Sequence, residues 1–212
     1  HRKALRLAQE AGDDHDAAVQ LSYLCFLAWL TEDLDTAEAL GPEVLRRMRE
    51  LGDQEGVIWA LINLGTTARY RGDLTGARLL LSQCLDLCEE LSFREGIAWS
   101  LNQLGVVARL RGETERAVGM QLASLTEHHK LGDRWREASA RDELAALAMQ
   151  RGDPAEAARQ LASADELGAE IQAAVPAAER VDREQTVQAA QQALGAAYEL
   201  AALTAGLNGS GG

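Results

Sequence analysis

Strand-forming residues are in short supply in this chain. Aromatics make up only 4% of its 212 residues, and β-branched runs are scarce. Both types favour pleated sheets, so a β-sandwich or barrel is excluded as the main architecture. Proline occurs three times, too rarely to break up long helices. The cysteines, Cys25, Cys84 and Cys88, are few and odd in number, which argues against a disulfide framework and for a reducing compartment. The most apolar run, "LSYLCFLAWL" at 21–30, is roughly half of the ~20 residues that a membrane helix needs. No signal peptide is visible, because "HRKALRLAQEAG" is charged and already helical in pattern. An initiator Met is missing too, so the chain is expected to start inside a longer protein. An excess of positive charge is likewise absent. The formal net charge is −12, with no basic stripe, which excludes direct nucleic-acid binding by this segment. A cytoplasmic protein with protein or peptide partners, not associated with a membrane, is expected.

What the chain does have is alanine, leucine and glycine within a 47% hydrophobic composition, suited to closely packed helices. It also repeats. "EGVIWALINLGTTARYRGDLTGA" at 55–77 returns as "EGIAWSLNQLGVVARLRGETERA" at 95–117. "RGD" at 71–73, "RGE" at 111–113 and "RGD" at 151–153 stand forty residues apart, as do Ala37, Ala77, Ala117 and Ala157, and Leu24, Leu64, Leu104 and Leu144. Each period holds two helical patterns: Val57, Leu61, Leu64 and Ala68 in the first, Ala77, Leu81, Cys84, Leu85, Cys88 and Leu91 in the second. Gly72, Gly112 and Gly152 fall between them, where a left-handed residue ends a helix. The following Asp73, Glu113 and Asp153 suit the next helix start, by capping or by charge. Gly65, Gly105 and the Ala77 column let helix backbones approach closely.

A lone helical hairpin cannot bury both faces, but stacked hairpins can. The expected fold is therefore all-α, a solenoid of about four helical hairpins over 1–172, in units 14–51, 54–91, 94–131 and 134–172. Residues 1–11 read as the remnant of a preceding unit, 173–206 as capping helices after the break at Pro176, and 207–212 as a flexible tail. Gly41-Pro42 falls inside a helical pattern and predicts a kink or split there.

The columns Trp59, Leu64-Gly65 and Ala77, then Trp99, Leu104-Gly105 and Ala117, resemble the tetratricopeptide repeat, in a unit longer than the usual ~34 residues. Residues 157–195 resemble the end of the helical-repeat region in LuxR-type activators and related bacterial signal-transduction ATPases, which implies the sensor or interaction part of a transcriptional regulator. The tetratricopeptide likeness also implies a partner-binding groove lined by one stripe of each first helix: Trp59, Ile62, Asn63, Thr66, Arg69 and Tyr70, then Trp99, Asn102, Gln103, Val106 and Arg109, then Asp142 and Glu143. In the first unit the same stripe is apolar, with Tyr23, Phe26 and Trp29, and forms an apolar docking end. Trp and Arg are common in binding hot spots, and Arg holds carboxylates bidentately. The competing reading is that the two Trp wedge between helices and the two Arg pair with Glu on neighbouring units. The partner is expected to be a protein or peptide, another domain of the same chain or its own tail included. Self-association into a structural scaffold and a small-molecule inducer site are the alternatives, the former with a homo-oligomer.

Cys84 and Cys88 lie four apart on one helix face, but their column wants a small buried side chain, so no metal or other cofactor is expected. His128 and His129 are placed near a helix end, where a cationic ring is tolerated. No phosphate loop, HExxH, nucleophile elbow or paired-carboxylate cleft is found, and Asp142 and Glu143, adjacent on one helix, diverge. No catalysis is expected.

Overall fold

The computed structural model describes residues 1–203, and among these there is no strand. The chain runs through α1 (Arg2–Ala11), α2 (Asp14–Leu30), α3 (Leu34–Leu51), α4 (Gln54–Tyr70), α5 (Leu74–Glu90), α6 (Arg94–Leu110), α7 (Thr114–Leu131), α8 (Arg134–Gln150), α9 (Pro154–Ile171), α10 (Ala177–Leu194) and α11 (Tyr198–Leu203). Consecutive helices pack on one another from α1 to α5 and from α7 to α11, so the fold is the all-α repeat that the period predicts. No helix among the described residues is long and apolar enough to cross a membrane.

Periodic Gly-Asp pairs set the helix boundaries. Gly52 and Gly132 end α3 and α7 at φ 70° and 71°, a region glycine enters without a Cβ clash. Asp53, Asp73, Asp133 and Asp153 then each accept a hydrogen bond from the backbone N–H three residues on. Glu113 makes no such bond; of the two roles expected of this column it keeps only the favourable charge. At three junctions glycine is missing, and Glu32, Ser92 and Gln172 take φ 65°, 53° and 52° themselves. A side chain in that region costs about 1–2 kcal/mol. Ser92→Gly is therefore expected to raise stability by about 1 kcal/mol, read as a higher denaturant midpoint at unchanged m-value; an unchanged midpoint would mean that the junction carries no strain.

The helices form two compact units, His1–Gly96 and Ile97–Gly212. In the first, α1 packs on α2, α2 on α3 and α4, α3 on α4, and α4 on α5. Its core joins Leu21, Val44, Met48 and Ala60. The close approaches rest on glycine. A Cβ on Gly65 would stand 2.6 Å from Leu81 Cγ of α5, and one on Gly41 2.6 Å from Leu64 Cδ2 of α4. The expected split at Gly41-Pro42 does not occur, because α3 is one helix with Pro42 inside it. Pro42 faces solvent, so water can take the carbonyl that loses its N–H partner, while Gly41 admits α4.

In the second unit α7 packs on α8, α8 on α9, α10 on both α8 and α9, and α11 on α9. One core patch joins Ala108, Ala117, Leu144 and Leu147, another Ala145, Ala148, Ala157, Leu161 and Ala190. A Cβ on Gly105 would lie 2.7 Å from Gln121 Nε2; that buried amide donates to the Asn102 carbonyl at 2.9 Å and accepts from Asn102 Nδ2 at 3.1 Å. Contacts between successive first helices recur at the same two sequence steps inside each unit. Trp29 meets Asn63 and Arg109 meets Glu143, both pairs 34 residues apart; Ser22 meets Asn63 and Asp142 meets Arg183, both 41 apart. By this measure α10 occupies the place of a further first helix. Residues 204–206 of the expected capping stretch and the expected tail, 207–212, lie outside the described residues.

Candidate functional site

The stripe expected to face a ligand is largely withdrawn from solvent. In the first unit Ile62, Asn63 and Thr66 are buried. Trp29, assigned to an apolar docking end, is buried as well. Its indole N–H donates to Asn63 Oδ1 at 3.0 Å, and Asn63 Nδ2 donates to the Ser22 carbonyl at 3.3 Å. This polar pairing across α2 and α4 engages Trp29, Asn63 and Ser22. Around Trp29 the aromatic neighbours stay nearer the surface. Phe26 meets it edge-on at 5.1 Å and Tyr70 stacks at 6.0 Å, both half-buried. Tyr23 is 51% exposed and stacks on His1 at 4.7 Å. Trp59, half-buried, meets Phe93 edge-on at 6.0 Å.

Arg69 and Arg109 share a repeat column but have different surroundings. Arg109, buried, donates through Nε to Glu143 at 2.7 Å and through Nη2 to Asp182 at 3.1 Å. Burial disfavours its charge, and the two carboxylates more than offset this, so its pKa lies above the ordinary value. That is the pairing with a neighbouring unit's Glu which the competing reading describes. Arg69 places its guanidinium 3.9 Å over the Tyr70 ring, a cation–π contact. Its Nε is buried without a hydrogen-bond partner, and among the described residues no carboxylate lies in ion-pair range of it.

In the second unit Trp99, Asn102, Gln103 and Val106 are buried. Asp142 and Glu143, half-buried, serve two different guanidiniums, since Asp142 Oδ1 accepts from Arg183 Nε at 2.9 Å. Burial pushes the Asp142 carboxyl up to about 7, against the pull of Arg183, with Glu179 and Asp165 adding to the rise.

Four residues here have no counterpart among the expected site residues: Trp135, Arg136, Glu179 and Arg183. Arg136 is fully buried, its guanidinium 3.9 Å from the Trp99 ring and 3.6 Å from the Trp135 ring. Its Nη1 meets Glu179 of α10 at 3.2 Å, and Glu179 also accepts from Ser139 Oγ at 3.2 Å. The sequence carries one signal for it. The column that reads Gly56 and Gly96 becomes Arg136, next to a tryptophan. α8, α9, the 172–176 connection and α10 together enclose a cleft of about 470 Å³, lined by Trp135, Ser139, Asp142, Gly168, Glu179 and Arg183 among others.

His128, expected near a helix end, is in the last turn of α7 but fully buried, with Nδ1 3.3 Å from Asp133. Cys25, Cys84 and Cys88 are buried thiols outside any disulfide. Burial raises the Cys25 thiol to about 12, and Cys84 donates to the Ile58 carbonyl at 3.5 Å, so both behave as small core residues.

Among solved structures the chain is similar to BtubC (BKLC) from P. vanneervenii, at 22% identity and a TM-score of 0.67, covering 100% of this chain and 89% of that one. At this identity the likeness shows the fold. No curated protein matches the chain. The family model that matches is that of the Tetratricopeptide repeat, over residues 16–90, the stretch from α2 through α5.

Proposed function

We propose that this chain is a non-catalytic repeat domain that captures a peptide or protein segment, and that it forms the sensor or interaction part of a bacterial transcriptional regulator in the cytoplasm. Tetratricopeptide repeats generally mediate protein–protein interaction, and the matching stretch contains the observation that carries the reading. Arg69 lies on Tyr70 with no carboxylate partner among the described residues, and Tyr70 itself stacks on Trp29 at 6.0 Å. A guanidinium with an open fork next to aromatic surface fits an apolar anchor residue followed by a carboxylate. Capture of such a segment biases a regulator only through different affinity for its two states.

The test is a titration of short peptides carrying an aromatic or aliphatic residue beside a free C-terminal carboxylate, followed by tryptophan fluorescence. Arg69→Ala is expected to weaken binding about tenfold or more, the worth of one hydrogen bond to a charged group, and amidating the peptide should do the same. Equal affinity in Arg69→Ala removes the arginine from the site. The regulator assignment is supported by the likeness of residues 157–195 to the LuxR-type repeat end. A nucleotide-binding or DNA-binding module in the full-length protein would bear it out, and absence of both would end it. A scaffold is the second reading, favoured by Leu7, Tyr23 and Leu27, which are 55%, 51% and 39% exposed. An oligomer that survives dilution would select it.

A further inference from the structure

The cleft in the second unit exists because two bulky columns lose their side chains. Forty residues before Ser139 stands Trp99, and forty before Gly168 stands His128; both of these larger side chains are buried. In the last pair a hydroxymethyl group and a hydrogen replace an indole and an imidazole. α10 does not close the gap. A Cβ on Gly168 would have only the Ala173 carbonyl oxygen within 4 Å, at 3.6 Å. The opening of about 470 Å³ lies within the range of small-molecule sites.

The lining of the cleft combines apolar side chains, among them Trp135, Ile171, Val175 and Pro176, with the charged Asp142, Asp165, Glu179 and Arg183. The charges do not balance. Arg183 is shared between Asp142 at 2.9 Å and Asp165 at 2.5 Å. Glu179 has Arg136, which is buried against two indoles. One of the two carboxylates that share Arg183 is therefore left without a cation of its own, and Asp142 is the more enclosed, its side chain 17% exposed against 70% for Asp165. Among the described residues no three metal-ligating side chains converge, whereas a tryptophan wall suits an organic body.

We propose that the cleft between α8, α9 and α10 binds a small organic cation, an amine or amidine on an apolar body, with its charge on Asp142 and its body against Trp135, Val175 and Pro176. This site is separate from the Arg69 surface and stands or falls without it. Three groups besides the ligand act on Asp142: Arg183 and Glu179 from α10, and Asp165 from α9. With its carboxyl raised to about 7, Asp142 is largely protonated at pH 6, and binding a cation must expel that proton. Affinity should then be about tenfold weaker at pH 6 than at pH 8, while an amine of lysine-like pKa near ~10 keeps its charge throughout.

The experiment is calorimetric titration of the whole chain with phenethylamine, 2-phenylethanol and phenylacetate, three probes of similar shape and different charge. Only phenethylamine is expected to bind. Asp142→Asn should cost at least tenfold and flatten the pH profile. Gly168→Leu should fill the cleft and abolish binding, with a melting temperature no lower than that of the parent chain. Equal affinity for the alcohol and the amine, full affinity in Asp142→Asn, or no heat at 10 mM amine would each overturn the proposal.

Discussion

Arg136→Ala is expected to destabilise the chain by about 3–5 kcal/mol, the usual cost of breaking a buried ion pair. At roughly 2–4 °C per kcal/mol for a chain of this length, the melting temperature should fall by about 10 °C. Three interactions go at once. The guanidinium leaves the Trp99 and Trp135 rings that lie against it at 3.9 and 3.6 Å. Glu179 loses its cation at 3.2 Å. A void opens where a fully buried side chain stood. The conservative variants apportion the loss. Arg136→Lys keeps the charge but not the planar stacking surface, so it should fall between the parent and alanine. Arg136→Met keeps the apolar stem and should recover packing but not the hold on α10. Because Glu179 belongs to α10, proteolysis in the 172–176 connection should accelerate in all three. A loss under ~1 kcal/mol in Arg136→Ala would show that the Arg136–Glu179 pair is not what holds α10.

Trp29→Ala should have an effect of similar size in the other unit, about 3–5 kcal/mol for deleting a buried large aromatic. Trp29 is fully buried, with Phe26 and Tyr70 packed on its ring. Trp29→Phe separates ring from hydrogen bond. It keeps most of the apolar contact and leaves Asn63 Oδ1 without its donor at 3.0 Å, a cost of about 1–3 kcal/mol. Chemical denaturation of the two variants measures the difference. If phenylalanine proves as costly as alanine, the indole N–H carries most of the interaction; if it is neutral, Asn63 finds another partner.

The fold was legible because its signals are local and repeated. Gly-Asp punctuation, small residues at Gly65 and Gly105, and a 3.6-residue apolar period agree at each forty-residue step, and each is visible without knowledge of distant contacts. The site was less legible, because two matched arginines have different neighbours. Arg109 is taken by Glu143 and Asp182, whereas Arg69 rests on Tyr70. Nothing in their shared column distinguishes them; the difference comes from side chains 34 and 73 residues away. Trp29 and Asn63 read as surface residues from helical phase alone, since the phase does not tell how tightly successive first helices close on one another. Arg136 replaces glycine in its column, and a charged residue in a core column is sooner taken for a surface one. Its burial required two indoles against the guanidinium and a carboxylate from a helix 43 residues on.

The recurring 34- and 41-residue contact steps also set the order in which this molecule can assemble. A hairpin emerging from the ribosome finds its partners in chain that is already made, so native structure can accumulate from the N-terminus without waiting for synthesis to finish. Among the described residues the bond between Arg109 and Asp182, spanning 73 residues, departs from these steps. It forms only once α10 has been synthesised, and until then Arg109 has only Glu143 to neutralise it.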